Sequence, residues 1–377
     1  MKISIIGNTA NAMILFRLDL IKTLTKKGIS VYAFATDYND SSKEIIKKAG
    51  AIPVDYNLSR SGINLVGDLW NTYLLSKKLK KIKPDAILSF FSKPSVFGSL
   101  AGIFSGVKNN NAMLEGLGFL FTEQPHGTPL KTKLLKNIQV LLYKIIFPHI
   151  NSLILLNKDD YHDLIDKYKI KLKSCHILGG IGLDMNHYCK STPPTNEISF
   201  IFIARLLAEK GVNEFVAAAK KIKKTHPNVE FIILGAIDKE NPGGLSESDV
   251  DTLIKSGVIS YPGFVSNVAD WIEKSSVFVL PSYYREGVPR STQEAMAMGR
   301  PILTTNLPGC KETIIDGVNG YVVKKWSHED LAEKMLKLIN NPEKIISMGE
   351  ESHKLARERF DANVNNVKLL KILGIPD

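Results

Sequence analysis

Along the chain, short runs of bulky apolar residues alternate with longer stretches in which apolar positions recur every three or four residues. This is the rhythm of strand-then-helix units, and it predicts a mainly parallel sheet. Strands are expected at Ile3–Ile6, Val31–Ala35, Ala86–Phe90, Asn111–Leu114 and Ser152–Leu156. A helix over Leu15–Lys26 is closed by Lys27-Gly28, and lysine-studded helical segments separate the later strands. Gly179-Gly-Ile-Gly-Leu-Asp184 and Ser191-Thr-Pro-Pro-Thr195 then break the rhythm, as an interdomain linker does.

Beyond the linker the alternation restarts. Strands are expected at Ile198–Ile203, Val229–Leu234, Val277–Leu280 and Ile302–Thr304, and helices at Val212–Thr225, Ser291–Met298 and His328–Ile339. A last helix, about Ser352–Leu373, has no strand after it and is free to cap either half. Two βα domains in tandem follow, an α/β chain whose natural ligand site is the cleft between them. The domains are drawn at 1–185 and 186–353, with the final helix, about 354–377, assigned back to the first.

Length agrees with that division, since 377 residues exceed what one core supports. Hydrophobic residues at 44% and charged residues at 23% exclude disordered and fibrous classes. Cys175, Cys189 and Cys310 are odd in number and lack metal spacing, which points to a reducing compartment. The opening MKISIIGNTANAM is not a secretory signal, and no apolar window approaches the ~18 residues needed to span a bilayer.

Charge changes the picture once the formal +11 is divided. Residues 1–185 hold 25 Lys and Arg against 14 Asp and Glu, while 186–377 hold 24 of each sign, so the excess lies wholly in the first half. Such a half can face nucleic acid, a membrane or an anionic substrate. Arginine, the usual nucleic-acid residue, occurs there only as Arg17 and Arg60. Lysines alternate with apolar residues at helical spacing over Lys131–Phe147, the pattern of a helix lying at an anionic membrane surface; a core helix with solvated lysines is the plain alternative. Lys77-Lys-Leu-Lys-Lys-Ile-Lys83 reads as a solvated helix end.

The densest chemistry is Pro281-Ser-Tyr-Tyr-Arg-Glu286-Gly-Val-Pro-Arg-Ser-Thr-Gln-Glu294. A strand ends at Leu280 and a helix opens near Ser291, so Glu286 sits in a strand-end loop and Glu294 at the start of the helix. Ligands bind there in doubly wound folds, and a carboxylate can accept two hydrogen bonds from vicinal sugar hydroxyls. For Glu294 the bland alternative is a first-turn acid interacting with the helix dipole. Arg205 and Lys210 leave another strand end, where two cations suit a diphosphate; two surface cations beside a turn are the alternative.

The Glu286-x7-Glu294 spacing, the strand–Arg205-x4-Lys210-Gly loop, the Gly182-Leu-Asp184 linker and the Tyr261-Pro-Gly263-Phe turn together resemble the retaining glycosyltransferase family 4, over nearly the whole chain and most specifically over residues 200–325. The resemblance implies the GT-B architecture, two Rossmann-like domains with a facing cleft. It implies that Glu286 faces the donor sugar, that the Gly287 and Val288 backbone lies on sugar and phosphate, that Glu294 binds ribose, and that Arg205 and Lys210 hold the diphosphate. Gly263 and Phe264 would lie near the base. No cofactor or metal is implied, because the two cations do a metal's electrostatic work.

The first half departs from the commonest pattern of that family. Its opening loop Gly7-Asn8-Thr-Ala-Asn-Ala lacks paired glycines, and Glu115 of Leu114-Glu-Gly-Leu-Gly-Phe119 stands where many members place histidine. With Phe16-Arg17, these features are similar to the branch acting on polyprenyl-diphosphate-linked sugars in bacterial surface polysaccharide or N-glycan assembly. That implies acceptor-binding roles for Asn8, Arg17 and Glu115, a UDP-sugar donor, and a place on the inner face of the plasma membrane. UDP-N-acetylgalactosamine and an α-1,3 bond rest on the branch resemblance alone. Two other readings stay open: an epimerase of the same architecture that binds UDP-sugars without transferring them, and a nonenzymatic binder of membrane or nucleic acid.

Overall fold

The computed structural model describes residues 1–59, 64–239 and 241–375. The chain divides into two compact units, one of residues 1–120, 130–181 and 362–377, the other of residues 121–129 and 182–361.

In the first unit the strands are β1 (Lys2–Ile6), β2 (Ser30–Ala35), β3 (Ile52–Asp55), β4 (Ala86–Phe90), β5 (Asn109–Leu114), β6 (Ser152–Leu155) and β7 (Cys175–Ile177). All pair in parallel, in the order β3-β2-β1-β4-β5-β6-β7. The order reverses direction between β1 and β4, and this is the edge where a doubly wound sheet opens a ligand crevice.

The second unit repeats the plan with β8 (Ser199–Ile203), β9 (Glu230–Leu234), β10 (Ser260–Gly263), β11 (Val277–Leu280), β12 (Ile302–Thr305) and β13 (Gly320–Val323), in the parallel order β10-β9-β8-β11-β12-β13. Its reversal lies between β8 and β11. Phe200, Phe202, Phe215, Phe231 and Phe278 are buried around these strands, and the Phe200 and Phe231 rings stack at 5.5 Å. Each such side chain contributes about 1.5–3 kcal/mol of burial. Fully buried Arg300 donates to the carbonyls of Ile272, Glu273 and Met298 and to both the carbonyl and hydroxyl of Ser191, which pins the linker to this unit. Burial lowers its pKa to about 10.

Three expectations are corrected. The first helix runs Ala10–Lys26 rather than from Leu15, because the Thr9 hydroxyl accepts from the Ala12 amide and caps it early. Tyr261-Pro-Gly263 is an edge strand, not a turn, and an edge tolerates the missing amide of Pro262. The single terminal helix is two, Pro342–Arg359 and Ala362–Ile372, because the Phe360 carbonyl turns out of the helix to accept from the Leu183 amide at 2.9 Å.

Candidate active site

In the second unit, β8 ends at Ile203 and the chain enters the loop Ala204–Gly211. Leu206 and Leu207 turn inward and are buried, which leaves Arg205 pointing outward with 44% of its side chain exposed. Its guanidinium donates to Asp238 Oδ2 at 2.7 Å, beyond the end of β9. Burial opposes the charge of Arg205, but Tyr284, Asp238 and Glu286 outweigh it and raise the pKa. The loop closes at Gly211, with φ of +83°, where a Cβ would lie 2.4 Å from the Pro281 carbonyl oxygen. Only glycine lets the start of the following helix, Val212–Lys223, approach the end of β11 so closely.

That approach joins the two strand ends. The Glu209 carbonyl accepts from the amides of Tyr283 (2.8 Å) and Tyr284 (3.0 Å). The next residue, Lys210, thereby meets Glu286: its ammonium donates to Glu286 Oε1, which also accepts from the Ser282 hydroxyl at 3.0 Å. Both side chains are about nine-tenths buried. The Lys210 ammonium lies 5.1 Å and the Arg205 guanidinium 6.0 Å from the centre of the Tyr284 ring, so the two cations flank one aromatic. Gly309, with φ of +82°, packs on the Glu286–Gly287 backbone, and a Cβ there would fall 2.6 Å from the Glu286 carbonyl oxygen. The neighbouring Cys310 thiol is fully buried; burial first, then the charge of Glu286, pushes its pKa up to about 12.

Glu294 belongs to a second network. The helix Arg290–Ala297 has no acid in its first turn, and Glu294 is its fifth residue, buried to 7% exposure, so the dipole explanation does not apply. Its Oε1 accepts from the Tyr188 hydroxyl at 2.8 Å and from Arg290 Nε at 2.9 Å. Burial, and then the charge of Glu294, raises the Tyr188 pKa and keeps that hydroxyl a donor. The Val288 side chain is buried, and its carbonyl accepts from Gln293 Nε2 at 3.1 Å, which fixes the loop backbone at Gly287 and Val288. Gly263 ends β10 with φ of +83°, open space where its Cβ would be, and a carbonyl that accepts from the Gly235 amide; Phe264 after it is 65% exposed.

The first-unit candidates sit at the matching reversal. Arg17, on the helix Ala10–Lys26, is 1% exposed and forms an ion pair with Glu115 beyond the end of β5; it also donates to the Phe16 carbonyl at 2.7 Å and lies 4.2 Å from the centre of the Phe90 ring. Its charge is directed at Glu115, not at solvent. The Asn8 carbonyl accepts from both the amide and the hydroxyl of Thr36, while its buried Oδ1 has no hydrogen-bond partner among the described residues.

Asp238, Ser282, Tyr284, Tyr188, Arg290 and Glu209 were not singled out by motif reasoning. Asp238 carried a usable signal, an acid four residues beyond an apolar strand. Glu209 did not: it is 2% exposed, and its Oε1 accepts from Gln124 Nε2 at 3.0 Å in the segment Phe121–Pro129, which is remote in sequence.

Residues 188–355 match the family model for glycosyl transferases group 1. The chain is 26% identical, over 99% of its length and 98% of the relative's, to the N,N'-diacetylbacillosaminyl-diphospho-undecaprenol alpha-1,3-N-acetylgalactosaminyltransferase of Campylobacter jejuni. It is 24% identical to the capsular polysaccharide biosynthesis glycosyltransferase CapM of Staphylococcus aureus, over 91% of this chain and 89% of CapM. Anabaena HepE, solved with UDP and glucose, superposes with a TM-score of 0.77 at 17% identity over 99% of both chains. The two parallel reversing sheets and the full-length structural likeness show the GT-B fold, and residues 188–355 carry the glycosyl transferases group 1 segment within it.

Proposed function

We propose that the protein is a retaining, family 4 transferase that moves a hexose or N-acetylhexosamine from a UDP-sugar to a sugar carried on polyprenyl diphosphate. The observation that carries this reading is the convergence of Arg205, Lys210 and Glu286 from two strand ends at the reversal of an all-parallel sheet. The UDP in HepE supports the donor class, and the name of the Campylobacter relative supports the acceptor class, N-acetylgalactosamine and the α-1,3 bond.

In this reading the diphosphate lies at Arg205 and Lys210, whose charges stabilise the negative charge that builds on the leaving phosphate as the sugar–oxygen bond breaks. Glu286, held by Lys210 and the Ser282 hydroxyl, receives sugar hydroxyls, and the Gly287–Val288 backbone lines sugar and phosphate. Glu294 takes the ribose, and Gly263 with Phe264 takes the base. The acceptor hydroxyl attacks the face that the diphosphate leaves and passes its proton to the departing phosphate oxygen, so the configuration is kept without an enzymic nucleophile. In the first unit Glu115 and Asn8 contact the acceptor, and Arg17 holds Glu115 in place. The cations serve where a metal otherwise would, so turnover persists in chelator.

The test is a panel of UDP-sugars against a synthetic polyprenyl-diphosphate N-acetylhexosamine, with product mass and anomeric configuration read out. Acceptor-dependent release of UDP is expected; UDP-sugar conversion without acceptor would mean an epimerase instead. Lys210→Ala should cost about 2.7–4 kcal/mol in turnover, the usual effect of removing one well-placed donor to developing charge. Turnover within a few-fold of wild type would remove Lys210 from this role.

A further inference from the structure

The helix Leu65–Ile82 is amphipathic in the wrong sense for a helix facing water. Its inward stripe holds Asp68, Thr72, Leu75, Ser76 and Leu79, whereas its outward stripe holds Val66, 82% exposed, Leu69, Trp70, 62% exposed, and Tyr73. A surface helix ordinarily turns its apolar stripe to the core and its polar one to solvent. The helix Leu130–Ile146 behaves similarly, turning Thr132, Val140, Tyr143 and Ile146 inward while Leu130, Leu134, Leu141 and Ile145 lie exposed. Between them runs the helix Ser92–Ser105, in contact with both and carrying the half-exposed Phe104. The three helices make one side of the first unit, and an exposed apolar surface of that extent marks an interaction site.

The charge on this side identifies what covers it. Across the three helices the only acid is Asp68, which is buried and paired with Lys93. The exposed charges are therefore all positive: Lys77, Lys78, Lys80 and Lys81 continue the first helix beyond its apolar turns, and Lys131, Lys133 and Lys144 flank the third. None is an arginine. Where apolar gives way to basic, the Trp70 and Tyr73 rings lie 5.7 Å apart and the Lys77 ammonium lies 4.5 Å from the Tyr73 ring centre. Aromatic rings at such a boundary, with aliphatic side chains on one side and lysines on the other, match the chemistry of a bilayer interface.

We propose that these three helices form a docking face for an anionic lipid bilayer, with Val66 and Trp70 entering the acyl boundary and the lysine run meeting the headgroups. The lysine run over 77–83, which by sequence is a solvated helix end, is the electrostatic arm of this face. This reading is independent of the transfer chemistry, since none of these residues belongs to the donor or acceptor site.

The experiment is flotation of the full chain with vesicles of phosphatidylcholine, with and without phosphatidylglycerol, at low and high salt. Wild type should float with the anionic vesicles, less at high salt, and its tryptophan emission should shift to the blue. V66S/W70S should float at least about tenfold more weakly and lose the blue shift, because Trp271 and Trp326 lie elsewhere. Its thermal unfolding, UDP binding and turnover on a soluble short-chain acceptor should match wild type, so a failure of docking and a failure of transfer are told apart. Flotation of V66S/W70S equal to wild type overturns the proposal, as does wild type that floats on neither vesicle. A dimer in sedimentation that V66S/W70S dissociates, with flotation unaltered, assigns the face to a second copy and also overturns it.

Discussion

At the residue scale, Glu286 and Glu294 lie eight positions apart and have unlike surroundings. Glu286 is held by an ammonium and a serine hydroxyl, Glu294 by a guanidinium and a phenol. A carboxylate that already accepts two donors is fixed in orientation, so its remaining lone pairs face a ligand in a defined direction. Tyr188→Phe removes one of the donors to Glu294 and nothing else. A net loss of about 1 kcal/mol, roughly fivefold in donor KM with kcat nearly unchanged, is expected in steady-state kinetics. A fall in kcat with KM intact would place Glu294 in the chemical step instead. The sequence shows the four charged members of the two motifs, Arg205, Lys210, Glu286 and Glu294, because their spacing relative to strand ends is local. It does not show Asp238 or Tyr188 as their partners, which lie 33 and 106 positions away.

Among the elements, glycine positions separate a turn that merely ends a helix from one that builds the site. Gly28 and Gly211 have similar positive φ, +74° and +83°, yet a Cβ at Gly28 meets open space while one at Gly211 falls 2.4 Å from Pro281 O. Gly28→Ala should therefore cost only the backbone strain, about 1–3 kcal/mol, seen as a lowered denaturation midpoint with turnover retained. Gly211→Ala adds a backbone clash and should also separate Lys210 from Glu286, which predicts lost turnover at temperatures where the variant is still folded. Equal effects of the two changes would refute the distinction. Strands buried along their whole length, such as Ala86–Phe90 and Val277–Leu280, and the helix His328–Ile339 are legible in the apolar pattern to the residue. The short strands β3, β7 and β13 are not. Each has exposed or half-exposed positions and so no continuous apolar run, and such strands form because a neighbouring strand already presents its amides and carbonyls.

At the scale of the whole molecule, the final helix Ala362–Ile372 is part of the first unit although its sequence follows the second. Leu369, Leu370 and Leu373 are buried, Asn366 donates to the Thr23 hydroxyl at 3.1 Å, and Asn109 donates to the Leu373 carbonyl at 2.7 Å. Burial of each leucine contributes about 1.5–3 kcal/mol. Truncation after Asp361 should raise hydrogen exchange across residues 1–120 and leave 182–361 protected as before; uniform loss of protection would show the units to be thermodynamically inseparable.

That the chain builds two parallel βα units, and that Arg205, Lys210 and Glu286 sit at strand ends, follows from the sequence alone. Apolar period and glycine or proline punctuation act over a few residues and need no knowledge of the fold. Tertiary structure alone decided which charge neutralises which and which side of the helix Leu65–Ile82 faces outward. Sheet order brings β8 beside both β9 and β11, so Arg205 finds Asp238 and Lys210 finds Glu286 across gaps that no local pattern spans.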